Sequence, residues 1–417
     1  ERPCEDQCTR VRRGVGAGGR ELDRDILEVA GPDMPFLVDS VMGEIADQGI
    51  SPVAMFHPLA PASNGKGRDS LIQVHLPRLS VQRAKALHDG IRETLADVRA
   101  AVADYAAMRQ RMLDAADELE NAKSNAAPSD VAEAVALLRW LAAEKFTFIG
   151  SRDYQYVRDD KGALTPHEPD IIEDSCLGIL RDMNCYVLRT SAEPMVLTPE
   201  LKRLVSEPTP LIVAKSTLRA RVHRRAAADY ISVKRYNDQG EAVGEIRFVG
   251  LFTSESFTEA TRNIPMLRRK AEWVLHQTGF APGGHNAKTL RKIIEYYPRE
   301  ELWQMSREEL LQISRGILHL LDRPRARVFT RRDRFNRFVA ALAYIPKDRY
   351  DTRIREQVGA AIASAYGGEV ESFQPQLGEG QLARVLFVIG DIDKTRPEPD
   401  PRALDAAVAA IAHTWED

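Results

Sequence analysis

The stretch VAGPDMPFLVDSVMGEIADQGI, Val29 to Ile50, is the one whose reading decides the fold. A short apolar run enters an Asp-x-Pro turn, and the turn opens a helix. Asp33 is the expected side-chain acceptor for the free N–H groups at that helix start, and Pro35 fixes φ in its first turn. Leu37, Val41 and Ile45, with Val38 and Met42 beside them, form a stripe at helical spacing that stops at the C-cap Gly49.

Working outward, DILEVA (25–30) reads as the strand before the turn, and PVAMFH (52–57) and LIQVHL (71–76) as two strands after the helix. In the last of these Ile72, Val74 and Leu76 alternate with Gln73 and His75, the pattern of a strand with one buried face. A second helix starts near Ser80, and Leu87, Ile91, Leu95, Val98, Val102 and Tyr105 carry its stripe. The pattern is expected to run on toward Leu119 as one long helix. The order βαββα is the core of a ferredoxin-like sandwich. Residues 1–24, charged and glycine-rich, read as a flexible segment, and the sandwich with its long helix as residues 25–125.

The polar stretch NAKSNAAPSD (121–130) marks a boundary. A helix capped by Asp130, with Glu133 three residues on, opens an α+β sheet domain over 126–262. Its strand-like segments are FTFIGSRDYQYV, PLIVAKS, ARVHRR, DYISVKRY and EIRFVGLFT, and NDQG (237–240) supplies a hairpin turn. A helical connector covers 263–323, with a capping box at Ser306 and Glu309. The last unit, 324–417, runs RVFTRR, RFVAALAYIP, a helix from Asp351 to Tyr366, EVESFQ, LARVLFVIG and a helix started by Asp400 and Pro401. Without its first strand it is βαββα again, so the same sandwich is expected at both ends of an α+β chain.

The 417 residues carry 58 basic and 61 acidic side chains, net −3. So even a balance provides no general attraction to nucleic acid or an anionic membrane. No run reaches the roughly 18 apolar residues that span a bilayer, and the start ERPCEDQCTRVRRG lacks a signal peptide's apolar segment, so a cytoplasmic location is expected. The first residue is Glu, which reads as a segment of a longer chain. Cys4, Cys8, Cys176 and Cys185 match no zinc spacing and are expected as free thiols.

GVGAGG (14–19) satisfies GxGxxG, yet TRVRR precedes it and RELDRD follows where a dinucleotide site needs an apolar strand and a helix, so a loop is expected. His57 and His75 read as solvated residues. The basic clusters at 268–270 and 330–337 read as solvated or interface-forming turns, with Phe338 in the core. No base, nucleophile, metal or nucleotide constellation emerges, so no catalytic, cofactor-binding or metal residue is assigned.

The residues DMPFLVDSV, FTFIGSRDY, RFVGLFTSESF, IPMLRRK and RRDRFNRFVAALAYIPKDRYDTRIR, in that order, resemble the N-terminal region of the large bacterial NAD-specific glutamate dehydrogenases. The turn itself resembles the ACT-domain signature, a ferredoxin-like module that often binds amino acids. The resemblance implies ACT-like units flanking a PAS-like antiparallel sheet domain, with the catalytic domain far downstream. It implies a parent enzyme that oxidises L-glutamate to 2-oxoglutarate and ammonium with NAD, working as a homo-oligomer. This segment would hold no cofactor of its own. Its partners would be that catalytic domain, further copies of the chain and an amino-acid effector, with no nucleic acid and no membrane. The effector loop would be Asp33, Met34, Pro35, Phe36 and Asp39. Phe36 stands where ligand-binding ACT domains usually carry glycine, which favours a capped corner in a regulatory scaffold over a binding site. The alternatives are a stand-alone amino-acid-sensing module and a purely architectural segment.

Overall fold

A computed structural model describes residues 8–62, 67–165, 167–188, 206–378 and 380–412. The described residues fall into two compact units, divided after Ser256.

The first unit starts with a hairpin, β1 (Cys8–Val15) and β2 (Glu21–Pro32), then α1 (Leu37–Asp47), β3 (Ala54–Phe56), β4 (Leu59–Pro61), β5 (Arg68–Leu76) and α2 (Val81–Ala103). The sheet is antiparallel in the order β1-β2-β5-β3, with β4 also on β5 and Val29 opposite Ile72. Leu27, Val29, Val41, Ile45, Ile72, Val74, Leu87, Ile91 and Leu95 are buried between sheet and helices. Each such side chain contributes about 1.5–3 kcal/mol by leaving water. Residues 8–24 are therefore not a flexible segment. The GVGAGG glycines build the hairpin turn, where Gly18 and Gly19 adopt φ of 76° and 81°, values that cost glycine little.

The stripe after Ser80 does not form one long helix. Ser80 caps α2 by accepting from Arg83 N at 3.2 Å, but the helix is interrupted at Asp104, with φ −98° and ψ 4°, and α3 (Tyr105–Asn121) follows. The Asp104 carboxylate accepts from Gly178 N at 2.7 Å and from Arg181, fixing the break against the next sheet. α4 (Pro128–Trp140) begins at Pro128 with Ala127 in the cap position, so Asp130 lies inside the first turn and is not the cap.

The middle sheet is antiparallel in the order β7-β6-β10-β9-β8, from β6 (Phe146–Gln155), β7 (Asp170–Gly178), β8 (Leu211–Arg219), β9 (Ala227–Tyr236) and β10 (Ala242–Phe252). β7 is additional to the strands expected from the sequence, because DIIEDSCLG has no clean alternation. ARVHRR is not a strand: it forms the connection between β8 and β9. α2 and α3 pack against this sheet, and Phe146, Phe148 and Phe248 meet edge to face in its core.

The second unit opens with α5 (Leu267–Gln277), α6 (His285–Glu295), α7 (Arg299–Gln304) and α8 (Arg307–Asp322). The Ser306–Glu309 capping box at α8 is present. Lys270 donates to the carbonyls of Leu302 and Met305, both at 2.6 Å. β11 (Arg327–Arg332), β12 (Val339–Pro346), α9 (Thr352–Tyr366), β13 (Glu369–Gln376), β14 (Leu382–Gly390) and α10 (Pro401–Ala412) follow, in the sheet order β11-β12-β14-β13. Asp351 caps α9 by accepting from Ile354 N at 2.7 Å, and Val358, Ile362, Phe387 and Val408 fill the core. Both ends of the chain thus carry one topology, a leading hairpin strand followed by βαββα. β1 is the counterpart of β11.

Candidate functional site

The corner between β2 and α1 is built differently from the sequence expectation. Asp33 uses its backbone N–H on Arg68 O at 2.8 Å, and α1 has no side-chain cap. The cap position is Phe36, at φ 69° and ψ 0°, a left-handed conformation that costs a non-glycine residue roughly 1–2 kcal/mol. Pro35 and Asp39 are exposed, and Met34 and Phe36 half-buried.

What holds Phe36 there is the loop between β8 and β9. The Phe36 and His223 rings lie 5.3 Å apart. His223 Nδ1 meets Asp39 Oδ2 at 2.9 Å, and His223 N donates to Ser40 Oγ at 2.9 Å. The other basic residues at alternate positions follow. Arg219 pairs with Asp47 at 2.8 Å, Arg221 with Glu93 at 2.6 Å, and Arg225 with Glu44 at 2.6 Å. Arg225 also donates to Thr94 Oγ1 at 2.9 Å. Asp39, Glu44 and Asp47 are spaced five and three apart on α1, so one helix face meets the loop, with Glu93 of α2 beside it.

Burial ranks these contacts. The Arg225 and Glu44 side chains are 9% and 12% exposed, whereas Arg219 and Arg221 are 66% and 42% exposed. The rim pairs are worth about 0–1 kcal/mol each. The central pair, shielded and tied to Thr94, is the anchor. Burial works against the charge of Arg225, and the nearby Glu44 and Asp47 carboxylates oppose that effect. A Cβ on Gly90 of α2 would lie 2.1 Å from Glu44 Oε1 and 2.9 Å from Gln48 Nε2, so an added methyl would push on the ends of two α1 side chains, one of them held by Arg225.

On the other side of β2, Glu28 accepts from Arg10 and from Arg12 Nη2, the latter at 2.7 Å. Burial would raise its carboxyl, but the two guanidiniums outweigh burial and hold it down to about 2. These arginines lie on β1, so the charges of the supposed flexible segment are spent on fixing it to the sheet.

The remaining sequence candidates resolve into structural roles. His57 meets Ser70 Oγ at 2.8 Å, and the His75 ring packs on Phe56 at 5.5 Å. In the 330–337 turn Asp333 binds Arg337 Nε at 2.7 Å, Arg331 pairs with Glu301 at 2.7 Å, and Arg332 pairs with Glu398. Phe338 is not core: it is half-buried at the turn, its ring 6.0 Å from the Arg331 guanidinium. Cys176 and Cys185 are free, Cys8 is disulfide-bonded against expectation, and Cys4 lies outside the described residues. Among the described residues no group of three or more His, Cys, Asp or Glu is placed to hold a metal, and no helix is long and apolar enough to cross a membrane. GVGAGG joins two antiparallel strands and no helix N-terminus follows it, so these residues do not fit a nicotinamide dinucleotide.

The basic loop is the feature that sequence reasoning missed. Its odd-numbered charges mimic strand alternation. The signal that could have found it was the matching row of acids on α1.

Three glutamate dehydrogenase domain families match the chain: the ACT1 domain over residues 2–96, helical motif 1 over 264–323 and the ACT2 domain over 327–416. The ACT1 match includes β1, in line with the hairpin's place in the sheet. The chain is 34% identical to the NAD-specific glutamate dehydrogenase of Halomonas elongata, over 96% of this chain and 26% of that protein. It is 30% identical to that of Pseudomonas aeruginosa, over 96% and 25%, and 29% identical to that of Mycobacterium tuberculosis, over 71% and 17%. It spans about a quarter of the length of the first two relatives. With ACT-type sandwiches at both ends, the helical motif between them and this similarity over 96% of its length, the chain belongs to the N-terminal region of the large NAD-specific glutamate dehydrogenases.

Proposed function

We propose that this chain is the non-catalytic regulatory and assembly segment of an NAD-dependent glutamate dehydrogenase, a cytoplasmic homo-oligomer. The parent converts L-glutamate, NAD and water to 2-oxoglutarate, ammonium and NADH in a downstream domain. The observation that carries this reading is the anchoring of the first ACT sandwich to the middle sheet, which we read as PAS-like, through Arg225, Glu44 and Thr94. The residues Asp33, Met34, Pro35, Phe36 and Asp39 serve as a docking corner in this reading, since His223 occupies the approach that an amino-acid effector would use.

The test has two arms. The isolated chain with L-glutamate and NAD is expected to form no NADH, and glutamate-dependent NADH formation by it would overturn the reading. Removing residues 1–256 from the full-length enzyme is expected to change its sedimentation coefficient beyond the lost mass. A species of unchanged subunit number would sink the assembly role.

A further inference from the structure

The second unit carries two patches of opposite charge that are not neutralised among the described residues. The first is on α6, where Ala287, Leu290, Ile293 and Ile294 are buried and Lys288, Arg291 and Lys292 are exposed. The last two follow Lys288 by three and four residues, so the cations share one helix face. Tyr296, one turn further on, is 69% exposed. The carboxylate in this helix, Glu295, is already engaged by Thr261 N at 3.0 Å and by Arg299. None of the three cations makes an ion pair among the described residues.

The second patch is the start of β13. Glu369 and Glu371 are exposed there, and Glu369 pairs across the sheet with Gly390, next to the exposed Asp391. Burial and the Asp391 charge push the Glu371 carboxyl up, as expected of an acid among like charges with no cation at hand. β13 is an edge strand whose eight residues are all exposed, the apolar Val370 and Phe373 among them. Such an edge normally invites another strand. Here a bulge between Val370 and Ser372 shifts the register, and Pro375 has no N–H to give, which blunts the edge against strand addition. A helix laid over the edge needs neither a regular register nor that donor.

We propose that the second unit pairs with the second unit of another copy of this chain, the Lys288, Arg291 and Lys292 face of α6 in each copy lying over the Glu369, Glu371 and Asp391 end of β13 in the other. Three cations then meet three carboxylates, and the exposed Tyr296 ring gains the apolar Val370 and Phe373 as neighbours, the mixture of aromatic anchor and charged rim that protein interfaces use. A two-fold pair makes each contact twice. Each helix-on-edge contact therefore needs to bury only about 600 Å² for the pair to reach the roughly 1,200 Å² of a stable dimer. The proposal rests on the assembly reading above and names a surface that carries it. Failure here is distinct from failure of that reading, because removing residues 1–256 leaves α6 and β13 in place.

The test is sedimentation equilibrium of this chain and two charge-reversed variants. The parent is expected to dimerise in about 0.05 M salt and to lose affinity about tenfold at about 0.5 M, where exposed charges are screened. Arg291→Glu with Lys292→Glu, and separately Glu369→Lys with Glu371→Lys, should each weaken the dimer about a hundredfold. In a one-to-one mixture of the two variants every reversed face meets a reversed partner, so dimers should return. A variant that had merely misfolded could not restore them. A parent chain that stays monomeric up to about 100 μM would overturn the proposal. So would dimers that keep their affinity in both variants, the behaviour of strand-on-strand pairing, or a mixture that stays monomeric.

Discussion

The Phe36 ring lies 5.3 Å from the His223 ring, and both residues have left-handed backbones, with φ of 69° and 67°. Two sparsely populated conformations are held against each other across the joint between the first sandwich and the middle sheet. Each persists because the surrounding contacts over-determine it, through Asp39 and Ser40 on one side and Arg225 on the other.

The backbone at Phe36 can be separated from its ring. Phe36→Ala and Phe36→Gly both remove the contact with His223, but only alanine keeps the left-handed strain. The alanine variant is expected to be the less stable of the two, by about 1 kcal/mol in urea unfolding. Equal midpoints would show that position 36 relaxes out of the left-handed region.

The anchor pair should be strongly coupled. Arg225→Ala leaves Glu44 largely shielded without its cation and is expected to cost about 3 kcal/mol. Glu44→Ala should cost a similar amount, and the double variant much less than the sum. Arg219→Ala, at the exposed rim, should stay within about 0.5 kcal/mol of the parent. A double-mutant cycle with no coupling between 44 and 225 would contradict the anchor.

Gly90 reverses a general rule. Glycine to alanine inside a helix normally stabilises by roughly 0.5–1 kcal/mol. Here the new Cβ would meet Glu44 Oε1 and Gln48 Nε2, 2.1 and 2.9 Å from the ideal position. Gly90→Ala is therefore expected to destabilise by about 1–2 kcal/mol, measured as a lower thermal midpoint. A higher midpoint would mean that Glu44 moves away without loss.

Acid should weaken the first sandwich through Glu28. Its folded carboxyl is held down to about 2, below its ordinary 4.5, so its contribution is fully present above about 4.5 and is lost as pH falls through 2. Arg10 is 68% exposed, so screening limits the contribution to about 2 kcal/mol. Glu28→Gln should flatten the stability profile between pH 4.5 and 2.

Alkali should act in the opposite sense on the second unit. Burial pulls the Lys270 ammonium from 10.5 down to about 7, with Arg334 adding to the shift. The unfolded chain then holds a proton that the folded chain has released, so stability should rise from pH 7 toward 10.5. Lys270→Met should remove that rise in denaturant midpoints taken across the window.

Periodicity determined the sandwiches. Leu37, Val41 and Ile45 at helical spacing, and Ile72, Val74 and Leu76 at strand spacing, state which face is buried before any partner is known. The capping box at Ser306 and Glu309 is local chemistry, three residues of chain, and was legible too. Where the meaning of a residue depended on a distant partner, only the tertiary structure decided it. Arg10 and Arg12 look like a solvated charged segment until Glu28 is found opposite them, and ARVHRR looks like a strand until α1 presents Asp39, Glu44 and Asp47 to His223 and Arg225. The stripe through Val102 and Tyr105 reads as one helix because no local signal reports that Asp104 will bind Gly178 and Arg181, 74 and 77 residues away. Backbone periodicity is written within a few turns of chain, whereas charge pairing and a left-handed Phe36 are set by groups that only folding brings into contact.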